Sequence, residues 1–368
     1  MGSMRREAGT ANMNDNNRSD DKDAPPSPEE AAGAGAAPAV PGGRGMKAWV
    51  PVLAGALYGL LMRVIFGGLP GVAPWLGLPE ETGLVMSTGF VVAAPLVLGA
   101  ITVYMMRAAP GHPGPTWTQA ASIPLGATVL MMIGAMLTML EGAICVILLS
   151  PLFLVLASTG GLAMNLVLRT TRVGGVQMGV LATLPLLFTV VERPLTVEQW
   201  QRIDHSVVVA ATPERVWSEI VAARDIRRED FPRTWIHLIG VPRPVEGVNR
   251  ATPQGEVRES RWEHGVHFLG RVTERVEGRR LAWRYEFAPD SFPPGTMDDH
   301  VVIGGRHFDL GETRFTLTPV DATHTRLDIE AHYRVTSGFN FYAVPVVDFL
   351  GRDFVDGLMA LYKRRSEA

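Results

Sequence analysis

Residues 325–335 read TRLDIEAHYRV, and apolar side chains occupy every second position of this stretch. The alternating apolar set is Leu327, Ile329, Ala331, Tyr333 and Val335. A period of two is typical of a β-strand that packs one face on a core and turns the other face to water. The stretch therefore predicts an antiparallel sheet with one solvated face.

Similar strand patterns precede this stretch, and a helical pattern follows it. Further strands are predicted at 207–209, 255–263, 266–276, 280–287 and 307–318. Thr212 and Pro213 mark the start of a helix, because threonine caps helices and proline is favoured at their first position. In 339–363 the large apolar residues lie three and four apart, which predicts a long amphipathic helix. Together these elements predict an α+β domain at 203–368.

The N-terminal half has a different composition. Residues 1–45 are polar with almost no large apolar side chain, which predicts a disordered tail. Residues 46–192 carry only 9 charged side chains, whereas residues 193–368 carry 50. A block this apolar predicts transmembrane helices of roughly 20 residues each. About five spans are expected, at 46–66, at 83–106, two within 120–168, and at 174–191.

Basic residues in the short loops predict the orientation of these spans. Arg44 and Lys47 precede the first span, Arg107 follows the second, and Arg169 and Arg172 follow the fourth. Their alternation predicts a multi-pass protein of the cell membrane with a cytoplasmic N-terminus and an extracytoplasmic C-terminal domain. If 120–168 holds a re-entrant segment in place of two spans, the count falls to four and the domain lies in the cytoplasm.

Composition also excludes several classes of function. The net charge of −3 and the lack of a basic cluster argue against nucleic-acid binding. A single cysteine, Cys145, excludes a disulfide within the chain and a multi-cysteine zinc site. The sequence contains no Gly-rich phosphate loop, nucleophile elbow or HExxH motif. No cofactor or metal site is therefore predicted, and these motifs identify no catalytic residue.

The opening of the C-terminal domain, IDHSVVVAATPERVWSEI at 203–220, resembles the first strand and helix of the SRPBCC superfamily, also called the START-like or helix-grip fold. The segment GETRFTLTP at 311–319 and the strand at 323–333 extend the resemblance over about 165 residues. The segment EGAIC at 141–145, with Pro151, resembles the membrane part of bacterial SRPBCC proteins with an N-terminal multi-span region. The superfamily includes lipid-transfer domains, coenzyme-Q-binding proteins and polyketide cyclases.

This resemblance implies a curved antiparallel sheet around the long C-terminal helix, with an apolar cavity between them. It also implies a hydrophobic small molecule or lipid as the ligand. The residues expected to bind it are Trp235, Trp283, Tyr285, Phe315, Tyr333, Phe339 and Tyr342. The alternative is that the aromatic side chains fill a solid core, and the sequence leaves both interpretations open.

A histidine and aspartate group offers a second hypothesis, since such residues bind metals or transfer protons. Its members are His264, His267, His300, His307, Asp298, Asp299 and Asp309. Their spacing matches no metal motif, and solvated loops are the favoured interpretation.

Other polar and aromatic positions also have two interpretations. Arg258, Arg261 and Glu263 face either the cavity mouth or the solvent from an edge strand, where charge blocks aggregation, and we favour the edge. Glu141 is either an intramembrane functional acid or, as we favour, a residue of a helix turn at the interface. Arg63, near the end of the first span, is expected to extend its side chain towards water.

The segment FPRTWIHLIGVPRP at 231–244 is apolar, aromatic and bounded by proline. It fits a lid over the cavity, a surface that touches the bilayer, or a packed loop.

Three functions follow from the whole pattern. The favoured one is a membrane-tethered domain that binds a hydrophobic small molecule or lipid, in transfer or sensing. The alternatives are a cyclase- or hydrolase-like enzyme using His264, His267 or Asp299, and a regulatory module that binds a protein near Trp235.

Overall fold

The structure is a computed structural model that describes residues 44–72, 86–108, 114–191, 196–297 and 302–368. The predicted tail lies outside these residues except for its last two positions, and so do Asp298, Asp299 and His300. Five apolar helices come first: α1 Arg44–Val72, α2 Ala94–Ala108, α3 Trp117–Leu137, α4 Ala143–Thr170 and α5 Gly175–Val191. A π-helical turn at Gly89–Ala93 leads directly into α2. The break between α3 and α4 includes Glu141, where the sequence analysis expects it.

Small residues allow the five helices to pack closely. A Cβ at Gly160 of α4 would overlap the carbonyl group of Leu96 on α2, so the two backbones touch there. Gly55 and Gly59 of α1 face Thr102 and Leu98 of α2, which makes α1 and α2 antiparallel. Such close helix contacts through glycine are typical of helices packed within a membrane.

The outer surface of the helices is also apolar. On α1 the exposed residues Trp49, Leu53, Leu57, Leu61 and Val64 form one stripe. Within the described residues, four helices are long and apolar enough to cross a membrane, and a shorter apolar helix covers Gly175–Phe188. A helix that is apolar on its inner and its outer face is typical of a span in lipid.

One ion pair lies between α1 and the turn that joins α3 to α4. Arg63 donates from Nε to Glu141 Oε1 at 2.5 Å and from a terminal nitrogen to the carbonyl of Leu140. Each of the two charged side chains is 9% exposed. The expectation that Arg63 reaches water is therefore wrong, because its guanidinium is turned inward to the turn carboxylate. Glu141 lies in the turn between α3 and α4 as expected, and its position at a membrane interface stays a prediction.

The C-terminal domain contains one sheet of eight antiparallel strands. They are β1 Val197–Val209, β2 Ala222–Ala223, β3 Pro244–Thr252, β4 Gly255–Trp262, β5 His267–Val276, β6 Arg280–Glu286, β7 Phe308–Pro319 and β8 Thr325–Ser337. Their order across the sheet is β1-β8-β7-β6-β5-β4-β3-β2. Strand β8 lies between β1 and β7, and its apolar set packs into the core as its alternation predicts.

Three helices complete the domain: α6 Pro213–Val221, α7 Trp235–Leu238 and α8 Asn340–Glu367. The long helix α8 lies against the inner face of the curled sheet, where Val355, Met359 and Leu361 join the core formed by β6, β7 and β8. This α+β helix-grip arrangement, preceded by apolar helices, confirms the predicted fold class.

Two parts of the sheet differ from the sequence-based expectation. Strand β1 begins at Val197, well before the predicted 207–209, and β3 was not predicted. The first half of β1 is exposed on both faces, so it has no apolar alternation. Strand β3 begins at a proline and contains a glycine at Gly247, and both residues are uncommon inside strands. The pairing of these strands with their neighbours, and not a pattern of their own, defines them.

Candidate functional site

A cavity of about 250 Å³ lies between the inner face of the sheet and α8. One side of α8 lines it with Val347, Leu350, Gly351, Phe354, Val355, Leu358 and Tyr362. These residues lie three or four apart, so they share one face of the helix. From Val347 to Tyr362 this face extends about 22 Å along the helix axis.

Aromatic residues of three neighbouring strands form the opposite wall. Trp283 and Tyr285 of β6, Phe315 of β7 and Tyr333 of β8 all line the cavity. Trp283 stacks on Phe315 with ring centroids 5.7 Å apart. The interior is thus hollow at this point, although the aromatic rings pack on one another. A ligand-binding role for these four residues stays a prediction.

The apolar helix α4 supplies part of the cavity wall. Ile144 and Leu148, one turn apart on α4, line the cavity together with Ile236 and Ile239 of the segment 231–244. The hydroxyl of Tyr342 at the start of α8 donates a hydrogen bond to the carbonyl of Leu148. We call helices α1–α5 the helical bundle. The helix-grip domain and the helical bundle therefore share one apolar compartment.

A second, more open apolar space adjoins the cavity, and we call it the side groove. Its lining consists of Ile147, Leu148, Pro151, Trp235, Ile239, Phe341, Tyr342, Pro345, Val346, Phe349 and Leu350. The cavity and the side groove have Leu148, Ile239 and Leu350 in common. At the surface of the groove Trp235 is 60% and Phe341 69% exposed. The groove therefore lies directly beside the cavity, with these three residues between them.

The predicted ligand-binding residues thus occupy three places. Four line the cavity, whereas Trp235 and Tyr342 line the side groove. Phe339 lies in neither lining, because it is buried in the core that the helical bundle forms with the start of α8. Phe339 is therefore not a cavity-lining residue in this structure, and its role in ligand binding stays a prediction. The physical reason for its absence from the lining is its position just before α8, where the domain meets the bundle.

Arg258 is a cavity residue that the sequence analysis assigned to the wrong environment. Its strand β4 lies between β3 and β5, so the edge-strand interpretation of Arg258, Arg261 and Glu263 is wrong. Arg258 is 5% exposed and lines the cavity, while Arg261 is exposed. The alternation of β4 is the signal that separates the two, since Arg258 and Ser260 are on the same buried face.

Neutral acceptors surround the Arg258 guanidinium. One terminal nitrogen donates to the carbonyl of Ile220 at 2.7 Å and to Asn249 Oδ1 at 2.9 Å, and the other donates to the hydroxyl of Tyr362 at 3.0 Å. The guanidinium carbon also lies 4.8 Å from the ring centroid of Trp283, a cation–π contact. These contacts hold a charged group in a wall that is otherwise largely apolar.

Two further polar groups belong to the same wall. The hydroxyls of Tyr285 and Thr313 are 2.9 Å apart and share a hydrogen bond. Burial raises the pKa of Tyr285, so the phenol is neutral at physiological pH. The indole nitrogen of Trp283 is buried and interacts with the Tyr285 hydroxyl, but it forms no well-formed hydrogen bond among the described residues. The hydrogen-bonding groups of this wall are therefore concentrated around Arg258, Trp283 and Tyr285.

The described members of the predicted histidine and aspartate group do not line the cavity. His264 and His267 are exposed at the turn between β4 and β5, and His267 lies 3.7 Å from Asp290. His307 meets the carbonyl of Thr336 through its Nδ1. No group of three metal-binding side chains is found in the described part of the chain. The three predicted residues outside that part, Asp298, Asp299 and His300, have no described position.

The segment 231–244 combines buried and exposed residues. Phe231 and His237 are buried against Phe354 of α8, whereas Trp235 and Leu238 are exposed. His237 Nδ1 lies 2.9 Å from the carbonyl of Val241. Burial lowers the pKa of His237, although that hydrogen bond opposes the effect. The segment is thus anchored to α8 on one side and presents an apolar surface on the other.

Comparisons with known proteins give a likeness in structure only. No family model and no curated protein matches the chain. A START superfamily protein from Mycobacterium smegmatis is 17% identical, with a TM-score of 0.30 over 45% of this chain and 97% of its own. The Zhui aromatase/cyclase from Streptomyces sp. R1128 is 17% identical, with a TM-score of 0.27 over 45% and 94%. A norcoclaurine synthase from Thalictrum is 10% identical, with a TM-score of 0.29 over 46% and 96%.

Proposed function

We propose that this chain is a membrane-anchored helix-grip protein that binds a hydrophobic small molecule or lipid taken from the bilayer. The observation that carries the proposal is the shared wall of the cavity. Ile144 and Leu148 belong to a helix apolar enough to cross a membrane, and both line the cavity of the C-terminal domain. A ligand that leaves the lipid beside α4 meets this cavity without crossing water.

The side groove supplies the route. Trp235, Phe341 and Phe349 expose large apolar surfaces that a soluble domain would normally bury. These residues surround the outer part of the groove, and Leu148 and Leu350 lie where it joins the cavity. An apolar ligand keeps contact with apolar surface throughout such a path, so its transfer avoids the free-energy cost of full hydration. The exposed residues then touch the bilayer, as one interpretation of 231–244 expects.

The helix directions support an arrangement with five spans. Gly55 and Gly59 of α1 face Ala127 and Met131 of α3, so α1 and α3 are parallel and both are antiparallel to α2. The second half of α4 lies beside the start of α3, where Gly161 faces Ala120, and Pro185 of α5 lies beside Gly89 ahead of α2. Consecutive helices therefore alternate in direction, and the start of α1 lies at the bundle end opposite the C-terminal domain. With the basic loops taken into account, the domain is extracytoplasmic. Protease treatment of intact cells, against inverted vesicles, tests this orientation.

The experiment for ligand binding uses the full chain in nanodiscs. Native mass spectrometry with lipid analysis is expected to find a hydrophobic molecule retained after the bulk lipid is removed. In the variant Leu148→Trp the larger side chain obstructs the junction of groove and cavity, and retention is expected to fall at least tenfold. The matched control is Val155→Trp, which makes the same kind of change at an exposed position of α4. Equal retention in both variants, or none in the wild type, contradicts the proposal.

A further inference from the structure

Among the described residues, Arg258 has no carboxylate partner in the cavity wall. Its guanidinium donates only to neutral groups, and it forms no ion pair with a carboxylate of the described residues. Three of its five N–H groups are used in these bonds, which leaves two without an acceptor in the described part of the chain. An uncompensated buried cation is costly, and an arginine in this position is matched best by an anion.

A second donor points to the same place. The Trp283 side chain is 4% exposed and lines the cavity, and its indole N–H interacts with the Tyr285 hydroxyl without a well-formed hydrogen bond among the described residues. Buried polar atoms in native proteins normally have well-formed hydrogen bonds, so this donor has capacity for a stronger acceptor. Because the Trp283 ring stacks under the Arg258 guanidinium, both donors belong to one cluster.

The cavity lining also contains an acidic residue, but it does not neutralise this cluster. Glu246 lines the cavity, but its carboxylate lies 3.6 Å from Arg261 and is thereby paired. His332, also in the lining, lies 3.5 Å from Glu330. Their partners compensate these groups, whereas Arg258 has only neutral ones. The polar groups of the wall that can still form hydrogen bonds are thus donors, and they require an acceptor from the ligand.

The polar cluster lies at one end of the cavity. Arg258 contacts Tyr362 near the C-terminus of α8, whereas Leu148 of α4 lies beside Tyr342 and Leu350 in the first half of α8. Along α8, Leu350 and Tyr362 are separated by about 18 Å. The cavity therefore has a polar end far from the bundle and an apolar end beside it.

We propose that the ligand is an anionic amphiphile of the fatty-acid type, whose carboxylate binds Arg258 and Trp283 while its chain extends towards α4. The inference rests on the proposed function and adds the chemical class and the direction of the ligand. A carboxylate accepts hydrogen bonds from the two unused N–H groups of the guanidinium and from the indole, and it neutralises the buried charge. The chain then lies along the apolar face of α8 and ends near the side groove.

The test compares two probes that differ only in charge. Full-length protein in phosphatidylcholine nanodiscs is exposed to a photoactivatable palmitic acid or to its methyl ester, at alkaline pH, and labelled peptides are identified by mass spectrometry. Label on the exposed face of α1 provides the internal standard for probe in the bilayer. The ratio of cavity label to α1 label is expected to be at least tenfold higher for the acid. A probe with its reactive group near the head is expected to label Trp283 or Tyr362, and one with it at the tail end α4.

Variants sharpen the comparison. Arg258→Met is expected to reduce the acid-to-ester ratio to about one, whereas Arg258→Lys keeps a charge and retains part of it. Trp283→Phe preserves the ring and removes the indole donor, so a smaller reduction is expected. Melting temperatures of the variants show whether each is folded. The wild-type comparison needs no variant, so a misfolded Arg258→Met protein does not weaken the test.

The outcomes separate the two proposals. If acid and ester label the cavity equally in the wild type, the ligand-binding function holds and the anionic class is wrong. If neither probe labels the cavity while both label α1, both proposals are wrong. If Arg258→Met leaves the preference for the acid intact, the carboxylate does not bind at Arg258 and the inference is overturned.

Discussion

The helical bundle and the helix-grip domain both pack a long helix against other elements, but they do so in opposite ways. In the bundle Gly99 and Gly160 bring α2 and α4 into backbone contact, and a Cβ at either position would overlap a carbonyl group. In the domain, Trp283 and Phe315 stand between the sheet and α8, and a cavity of about 250 Å³ remains beside them. The interface between α2 and α4 leaves no spare volume at these glycines, whereas the interface between the sheet and α8 retains a cavity.

The difference shows that side-chain size, and not apolarity alone, determines where a cavity exists. Both regions are apolar, yet the glycine faces of α2 and α4 close completely. Large rings on alternate strand positions keep α8 away from the sheet, and close packing is then incomplete between them. A cavity persists in a native protein at a cost in stability, which is consistent with its use for a ligand.

The strongest test of this comparison is Gly160→Leu. Its side chain cannot fit against Leu96 without separation of α2 and α4, so we expect a loss of well over 3 kcal/mol and little folded protein. The control Gly126→Leu places the same side chain on α3 where nothing lies within 4 Å. Yield and thermal stability in detergent measure both. A folded, stable Gly160→Leu protein would show that the bundle tolerates far more volume than its packing indicates.

The next effect concerns the buried ion pair of the bundle. Glu141→Gln leaves the charge of Arg63 inside the protein without its carboxylate, and we expect a loss of about 3 kcal/mol, as for other broken buried pairs. The double variant Arg63→Met with Glu141→Leu removes both charges and is expected to recover most of that loss. Thermal unfolding of the single and double variants checks this. A double variant no more stable than Glu141→Gln would mean that the two side chains are not coupled.

The sequence predicts the parts of this fold in which residues obey a local period. Strand β8 alternates along its whole length, and the break at Glu141 interrupts an otherwise uncharged run, so both are found where the sequence predicts them. The first half of β1 and all of β3 lack such a period. Their conformation depends on pairing with β8 and β4, which are distant in sequence or join through a turn.

The site was predicted less completely for a related reason. Trp283, Tyr285 and Phe315 lie in regular strands, so their common face follows from alternation. Arg258 also lies on an alternating strand, but its charge suggested solvent, and only the strand order shows that β4 is internal. The contribution of Ile144 to the cavity joins residues of different domains. No local pattern contains that information.

A cavity-filling substitution is expected to have a smaller effect of the opposite sign. Ala331→Leu places added apolar carbons in the cavity, and we expect a gain in stability of up to about 1 kcal/mol together with reduced ligand retention. Ala282→Leu is the control, since Ala282 is fully buried and lies outside the cavity lining, and a loss of about 2 kcal/mol is expected there. Thermal unfolding compares the two. Equal losses would mean that the cavity is not available volume.

The smallest expected effect is a pH dependence of stability, which comes from His237 in the segment 231–244. Burial lowers the pKa of His237 in the folded state, so the unfolded state takes up the proton more readily. Stability from this residue is therefore fully present above about pH 6.5, the unfolded pKa, and is lost as the pH falls below it. The nearby Arg243 lowers this pKa further, and Glu263 and Asp353 oppose it.

The variant His237→Asn keeps a donor for the carbonyl of Val241 and cannot take up a proton. Melting temperatures from pH 8 to pH 5 should fall more steeply for the wild type than for His237→Asn. Because Phe231 and Phe354 enclose the His237 ring beside the apolar end of the cavity, parallel slopes would show that this segment opens to water more readily than the packed bundle does.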